Sequence, residues 1–225
     1  MKGIICGTVV LVCVMAVGRA DAQQPAVPDR PGFDLGVRAG YAIPFGKATG
    51  SATANLNDTL NAIPLVLEAG YRFNSAFTAG VLFQYAIGQW KENSTTGCGS
   101  NGLSCSASVV RLGAEAIYHF APGRFAPWGG LGFGYEWLNT DLSMGSDSLK
   151  GTVRGFELLT LQAGGDFRLA PQFVLGPFLS FSIGRYEAFS LDATPGVGVT
   201  SGSGDITNTA IHEWLQFGVR GTFNL

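Results

Sequence analysis

Charge is scarce in this chain. Asp, Glu, Lys and Arg make up 13% of its 225 residues, about half the roughly 25% expected of soluble domains. Long apolar runs are missing too: beyond residue 22 none approaches the roughly 18 residues a membrane helix needs. The first absence disfavours an ordinary water-facing surface; the second disfavours a helical membrane protein. The 33 glycines follow no collagen period, so they belong to strands and loops. A basic excess is also lacking. The 14 basic and 16 acidic side chains become 12 and 15, net −3, once Lys2, Arg19 and Asp21 are removed with residues 1–22, and no nucleic-acid surface is expected.

Residues 1–22 have the parts of an export signal: Met1-Lys2 is basic, Ile4 to Val17 is apolar, and Ala20-Asp21-Ala22 offers a small-residue cleavage site. Cys6 and Cys13 fall inside it, in positions unsuited to lipidation. The Pro-rich stretch 23–32 reads as an extended periplasmic lead-in, leaving 33–225 as one domain. Cys98 and Cys105 lie in a polar Gly/Ser/Asn segment, where a close pair in an exported protein is expected to form a disulfide. No metal or other cofactor is expected, since neither His119 nor His212 is near them in sequence.

What the chain has in abundance is alternation. In FDLGVRAGYAIPFG, residues 33–46, the odd positions Phe33, Leu35, Val37, Ala39, Tyr41, Ile43 and Phe45 are apolar. The even ones include Asp34, Gly36, Arg38 and Gly40, a period of two that marks a strand with two different surroundings. Segments 63–73, 77–90, 107–120, 125–138, 156–169, 173–186 and 211–225 repeat it, giving eight strands, each long enough to cross a bilayer when tilted. Residues 74–76, 121–124 and 170–172 read as tight turns. Segments 46–61, 91–106, 139–152 and 187–208 read as long polar loops, the last without a further hairpin.

The polar phase decides between a water-soluble sheet and a membrane one. A soluble barrel would crowd it with Lys and Glu. Here it holds mainly Gly, Ala, Ser and Thr, and Lys47, Lys91 and Lys150 all fall in long loops. The apolar phase therefore faces lipid, and the small and charged residues fill a narrow lumen. Backbone groups cannot stay unpaired in hydrocarbon, so the sheet must close. The expected fold is all-β: an eight-stranded antiparallel up-and-down transmembrane β-barrel. Aromatics near both strand ends, such as Phe33, Phe73, Phe120, Tyr41, Tyr85 and Trp137, are candidate interface girdles.

With its signal, strand rhythm and closing strand HEWLQFGVRGTFNL, the chain resembles the small eight-stranded outer-membrane barrels, the group of the OmpA membrane domain, OmpX and OmpW. Such barrels commonly end on an aromatic residue; here Phe223 lies two positions short of Leu225. The resemblance implies outer-membrane lipid as surroundings, the barrel assembly machinery as a partner in biogenesis, and a monomer.

Simple hairpin registers place Asp34 opposite Arg72, Arg38 near Glu68, and Arg111 near Glu136 as lumen ion pairs. Trp90, Leu138, Leu158 and Trp214 take the inward phase near the long-loop end, as an apolar plug or a small apolar pocket. The expected role is structural or surface-interacting, through the long loops. A narrow channel or uptake of a small apolar ligand, as in OmpW-like barrels, is the alternative. A lipid-modifying enzyme is a weaker third, because no serine accompanies His212, and Glu213 beside it points the other way. The run GGLGFG at 129–134 reads as a smooth lumen wall, not a phosphate loop, since Leu131 and Phe133 alternate with its glycines.

Overall fold

The computed structural model of the chain describes residues 31–91, 98, 103–121, 123–194 and 199–225. The export signal and most of the lead-in lie outside the described residues, though Gly32 already belongs to the first strand. In chain order the elements are β1 (Gly32–Gly46), α1 (Leu56–Thr59), β2 (Leu60–Arg72), β3 (Phe77–Trp90), β4 (Ser104–His119), β5 (Phe125–Met144), β6 (Asp147–Ala170), β7 (Phe173–Ala193), β8 (Gly202–Asp205) and β9 (Ile211–Asn224).

Strands β1 to β7 pair antiparallel with their sequence neighbours, β7 pairs with β9, and β9 returns to β1. Eight long strands thus close a ring without a free edge, as a sheet in hydrocarbon must. Side chains alternate as the period of two demands. On β1 the residues Phe33, Leu35 and Val37 are exposed while Asp34, Gly36 and Arg38 are buried. The large exposed apolar residues come from every strand of the ring, including Leu65, Phe83, Leu112, Phe133, Leu161, Leu179 and Val219. The core is accordingly the lumen, which is cramped. Gly40 of β1 faces Gly218 of β9, and a Cβ added to Gly218 would lie 2.6 Å from the Cα of Gly40. Only glycine lets the two backbones meet there.

All four expected loops give up residues to regular elements: 46–61 holds α1 and the first residues of β2, 91–106 the first residues of β4, and the other two change more. β5 and β6 run on through 139–152 and turn at Gly145, whose φ of +61° suits a residue without Cβ. Segment 187–208 also departs from expectation: β7 continues to Ala193, and the short β8 pairs with it from Ala188↔Asp205 to Leu191↔Gly202. β8 lies outside the ring. Its sequence, GSGD, has no apolar face to alternate, so the hydrogen-bonded hairpin leaves no trace in hydropathy. The disulfide between Cys98 and Cys105 is formed.

Candidate functional site: the lumen and its outer mouth

The lumen is filled from the short-turn end upward by polar side chains that compensate one another. At the bottom, Arg72 Nη1 donates to Asp34 Oδ1 at 2.8 Å, and Asn224 Nδ2 donates to the same oxygen at 3.0 Å. Asp166 accepts from Trp128 Nε1 at 3.0 Å and from Arg220 Nη1 at 3.2 Å, with His119 Nε2 at 3.2 Å. Asp34, Arg72, His119, Asp166, Arg168 and Arg220 border a polar cavity of about 40 Å³, a size and lining suited to water.

The middle layer centres on Arg38. Its Nε pairs with Glu68, its Nη1 with Gln162, and its Nη2 lies 2.8 Å from Glu115 Oε2. Gln162 Nε2 donates to the same Glu115 oxygen at 3.0 Å, and Arg220 Nε reaches Glu68 Oε2 at 3.0 Å. Two guanidinium groups stand over Trp128, Arg220 at 5.1 Å and Arg38 at 5.8 Å from the ring centre.

In the upper layer Arg111 Nε lies 2.5 Å from Glu136 Oε2 and 3.0 Å from Glu157 Oε2. Glu136 also accepts from the Tyr186 hydroxyl and from Trp214 Nε1, the latter at 3.3 Å. His212 stacks on Tyr186 with ring centres 4.0 Å apart and places Nε2 3.5 Å from Glu136 Oε1. Charges this buried persist only when paired and hydrogen-bonded, and this network supplies both.

The hairpin partners named from sequence are therefore brought together: Asp34 with Arg72, Arg38 with Glu68, and Arg111 with Glu136. Sequence reasoning missed Glu115, Gln162 and Tyr186, which reach their partners across the lumen from strands not adjacent in sequence, and Asp166, which bonds Trp128 of the neighbouring β5 as well as Arg220 and His119 across the lumen. Their inward phase was the available signal.

Above the charges lies an apolar layer. Leu138, Tyr186 and Trp214 pack with Ala42, Leu60, Ala62 and Val109. A cavity of about 320 Å³ opens over it, lined by Leu56, Leu60, Trp90, Leu138, Val153, Phe189 and Leu191 among others. Trp90 and Leu138 thus line the mouth and Trp214 belongs to the layer beneath. Leu158 belongs to neither: it is 54% exposed on the outer face. The register of β6 slips between Glu157 and Leu159, a bulge that reverses the phase, so Glu157 points inward while Leu158 and Leu159 both point out. A second irregularity, at Arg154/Gly155 opposite Tyr186 and Ala188, puts Phe189 in register with the inward Val153. His212 and Glu213 diverge, His212 buried in the lumen and Glu213 on the other phase.

No protein-family model and no curated protein matches the chain. Solved structures do. The outer membrane protein OprG from Pseudomonas aeruginosa is 16% identical, with a TM-score of 0.50 over 89% of this chain and 100% of that one. A major outer membrane protein from Thermus thermophilus is 13% identical, with a TM-score of 0.52 over 86% of this chain and 100% of that one. At such identities the likeness concerns the fold, and the fold is that of an outer-membrane β-barrel. Its particular form here is the small eight-stranded ring with a side-chain-filled lumen.

Proposed function

We propose that the protein is an integral outer-membrane barrel, exported through a cleaved signal and inserted as a monomer by the barrel assembly machinery, with a structural or surface-interaction role. The observation that carries this reading is the inverted distribution of polarity. Leu35, Leu65 and Val219 are each about half exposed, whereas Arg38, Glu68 and Arg220 are 4 to 7% exposed. Such a surface suits acyl chains, not water. The lumen then serves as the core, and opposite charges cross-linked at every level obstruct a file of ions more readily than they conduct one. Function falls to the outer end, where the tall β5–β6 and β7–β8 hairpins carry polar residues such as Asn139, Asp141, Lys150 and Asp192 above the apolar belt, and where Cys98 is joined to Cys105. Planar-bilayer recording tests the closed lumen: the purified protein is expected to give no steady conductance steps, and regular ohmic steps would overturn it.

A second reading, binding of a small apolar molecule, is favoured by the mouth cavity. Its volume lies at the lower end of ligand pockets, roughly 300–1,000 Å³, and its lining is mostly apolar. Titration with a single-chain amphiphile is expected to change tryptophan fluorescence in the wild type, and Trp90→Phe to remove most of that change while Trp214→Phe leaves it. An unaltered response in Trp90→Phe would exclude this cavity.

A further inference from the structure

Two arginines break the inward rule. Arg154 of β6 stands opposite Trp137 of β5, and Arg185 of β7 stands opposite Phe156 of β6 and Ile211 of β9. Cross-strand partners share a face. Phe156 and Ile211 are 49% and 48% exposed on the outer wall, so both arginines are on the outer wall as well. Their height is where the apolar belt stops. On β5 the outward series Phe133, Tyr135, Trp137 gives way to Asn139 and Asp141; on β7 the series Leu179, Phe181, Ile183 ends at Arg185.

Among the described residues, the outward faces of β1, β2, β3, β4, β5 and β9 carry no Arg or Lys, so the outward cations gather on β6 and β7 at the long-loop end. They are little used within the chain. Arg154 has no ion pair among the described residues. Among the described residues Arg185 pairs only with Glu187, at 2.6 Å, both side chains well exposed, and an exposed pair holds its partners weakly. Lys150, two residues above Thr152 on the same face of β6, lies 3.7 Å from Asp141.

A guanidinium beside hydrocarbon must send its head to the interface, where the group it matches best is phosphate, which it can hold through two parallel N–H···O bonds. We propose that Arg154 and Arg185, with Lys150 above them, dock the phosphate of an outer-leaflet lipid headgroup, the acyl chains lying along Trp137, Phe156 and Ile211. The proposal rests on the membrane-barrel reading and adds one sector of the wall with a defined lipid chemistry.

The test uses the purified chain folded in nonionic detergent. It is mixed with a phosphorylated glycolipid or with the same lipid after phosphatase treatment, and retained lipid is counted by native mass spectrometry. The wild type is expected to keep the phosphorylated form preferentially, even against excess inorganic phosphate. R154Q and R185Q are each expected to weaken retention roughly fivefold, at about 1 kcal/mol per basic residue near a membrane surface, and the double variant more. R124Q, an exposed arginine in a tight turn at the opposite end, is expected to change nothing. Equal retention by the double variant, equal retention of the dephosphorylated lipid, or displacement by inorganic phosphate would each overturn the lipid site. A heat-sensitive shift in gel mobility reports barrel formation separately, so a folded barrel without lipid preference defeats the docking site alone.

Discussion

Arg38 shows how a single residue can be both costly and indispensable. Its guanidinium is 4% exposed and holds Glu68, Glu115 and Gln162, contributed by three different strands. Replacing it by Ala leaves two carboxylates buried with weakened compensation, which typically destabilises by about 3–5 kcal/mol. Arg38→Ala is therefore expected to lower the urea midpoint and the gel heat-shift temperature well below wild type, and unchanged values would show that the network is not a stabilising core. Exchanging Arg38 for Met together with Glu115→Leu removes one charge of each sign and leaves Glu68 to Arg220, 3.0 Å away; it is expected to recover part of the loss, because apolar groups of similar size can replace a buried ion pair. Glu136 is the matching test in the upper layer. Glu136→Ala strips the acceptor from Arg111, Tyr186 and Trp214 at once and is expected to cost more than Glu136→Gln, which keeps an oxygen for the two neutral donors.

At the scale of the element, the β6 bulge decides which face Leu158 sees. A nitroxide at position 158 is expected to be accessible to lipid-dissolved oxygen, as one at Leu161 would be, and unlike one at the inward Thr160; oxygen accessibility matching Thr160 would remove the bulge. Leu161→Arg is expected to hinder folding, since an arginine facing lipid costs about 2–4 kcal/mol at the bilayer midplane and less near the interfaces. The same element marks the limit of what can be read from sequence. A period of two is visible wherever strands run regularly, so the odd positions of 33–45 declare their face without a structure. Partners on consecutive strands are also accessible: the tight turn at 121–124 nearly fixes the register that sets Arg111 against Glu136, whereas Asp34 with Arg72 spans the long 46–61 segment and follows from a simple hairpin register of β1 and β2. A bulge adds one residue without changing composition, and nothing in Glu157-Leu158-Leu159 announces it. Contacts across the lumen, such as Arg220 to Asp166 or Tyr186 to Glu136, depend on barrel shear and diameter, which hydropathy does not encode.

For the whole molecule, a charged and hydrogen-bonded interior surrounded by an apolar wall inverts the usual order of a protein, and only a solvent of acyl chains makes that order favourable. The disulfide between Cys98 and Cys105, of sequence separation 7, lies at the outer end above the charged layers, where both cysteines border a cavity with Trp90. Reduction is accordingly expected to leave barrel stability almost unchanged by urea titration, while altering any recognition that the outer surface performs. The most direct measurement of the central claim is a spin-label scan of residues 33–45 of β1 in bilayers, comparing collision with oxygen, which concentrates in lipid, against collision with a water-soluble nickel chelate. The account predicts oxygen accessibility that rises at Leu35, Val37, Ala39, Tyr41 and Ile43 and falls at the inward Gly36 and Ala42, with Arg38 and Gly40 left unlabelled because a label there would break the ion network or the backbone contact with Gly218. A reversed phase, or accessibility to the chelate at every odd position, would contradict it.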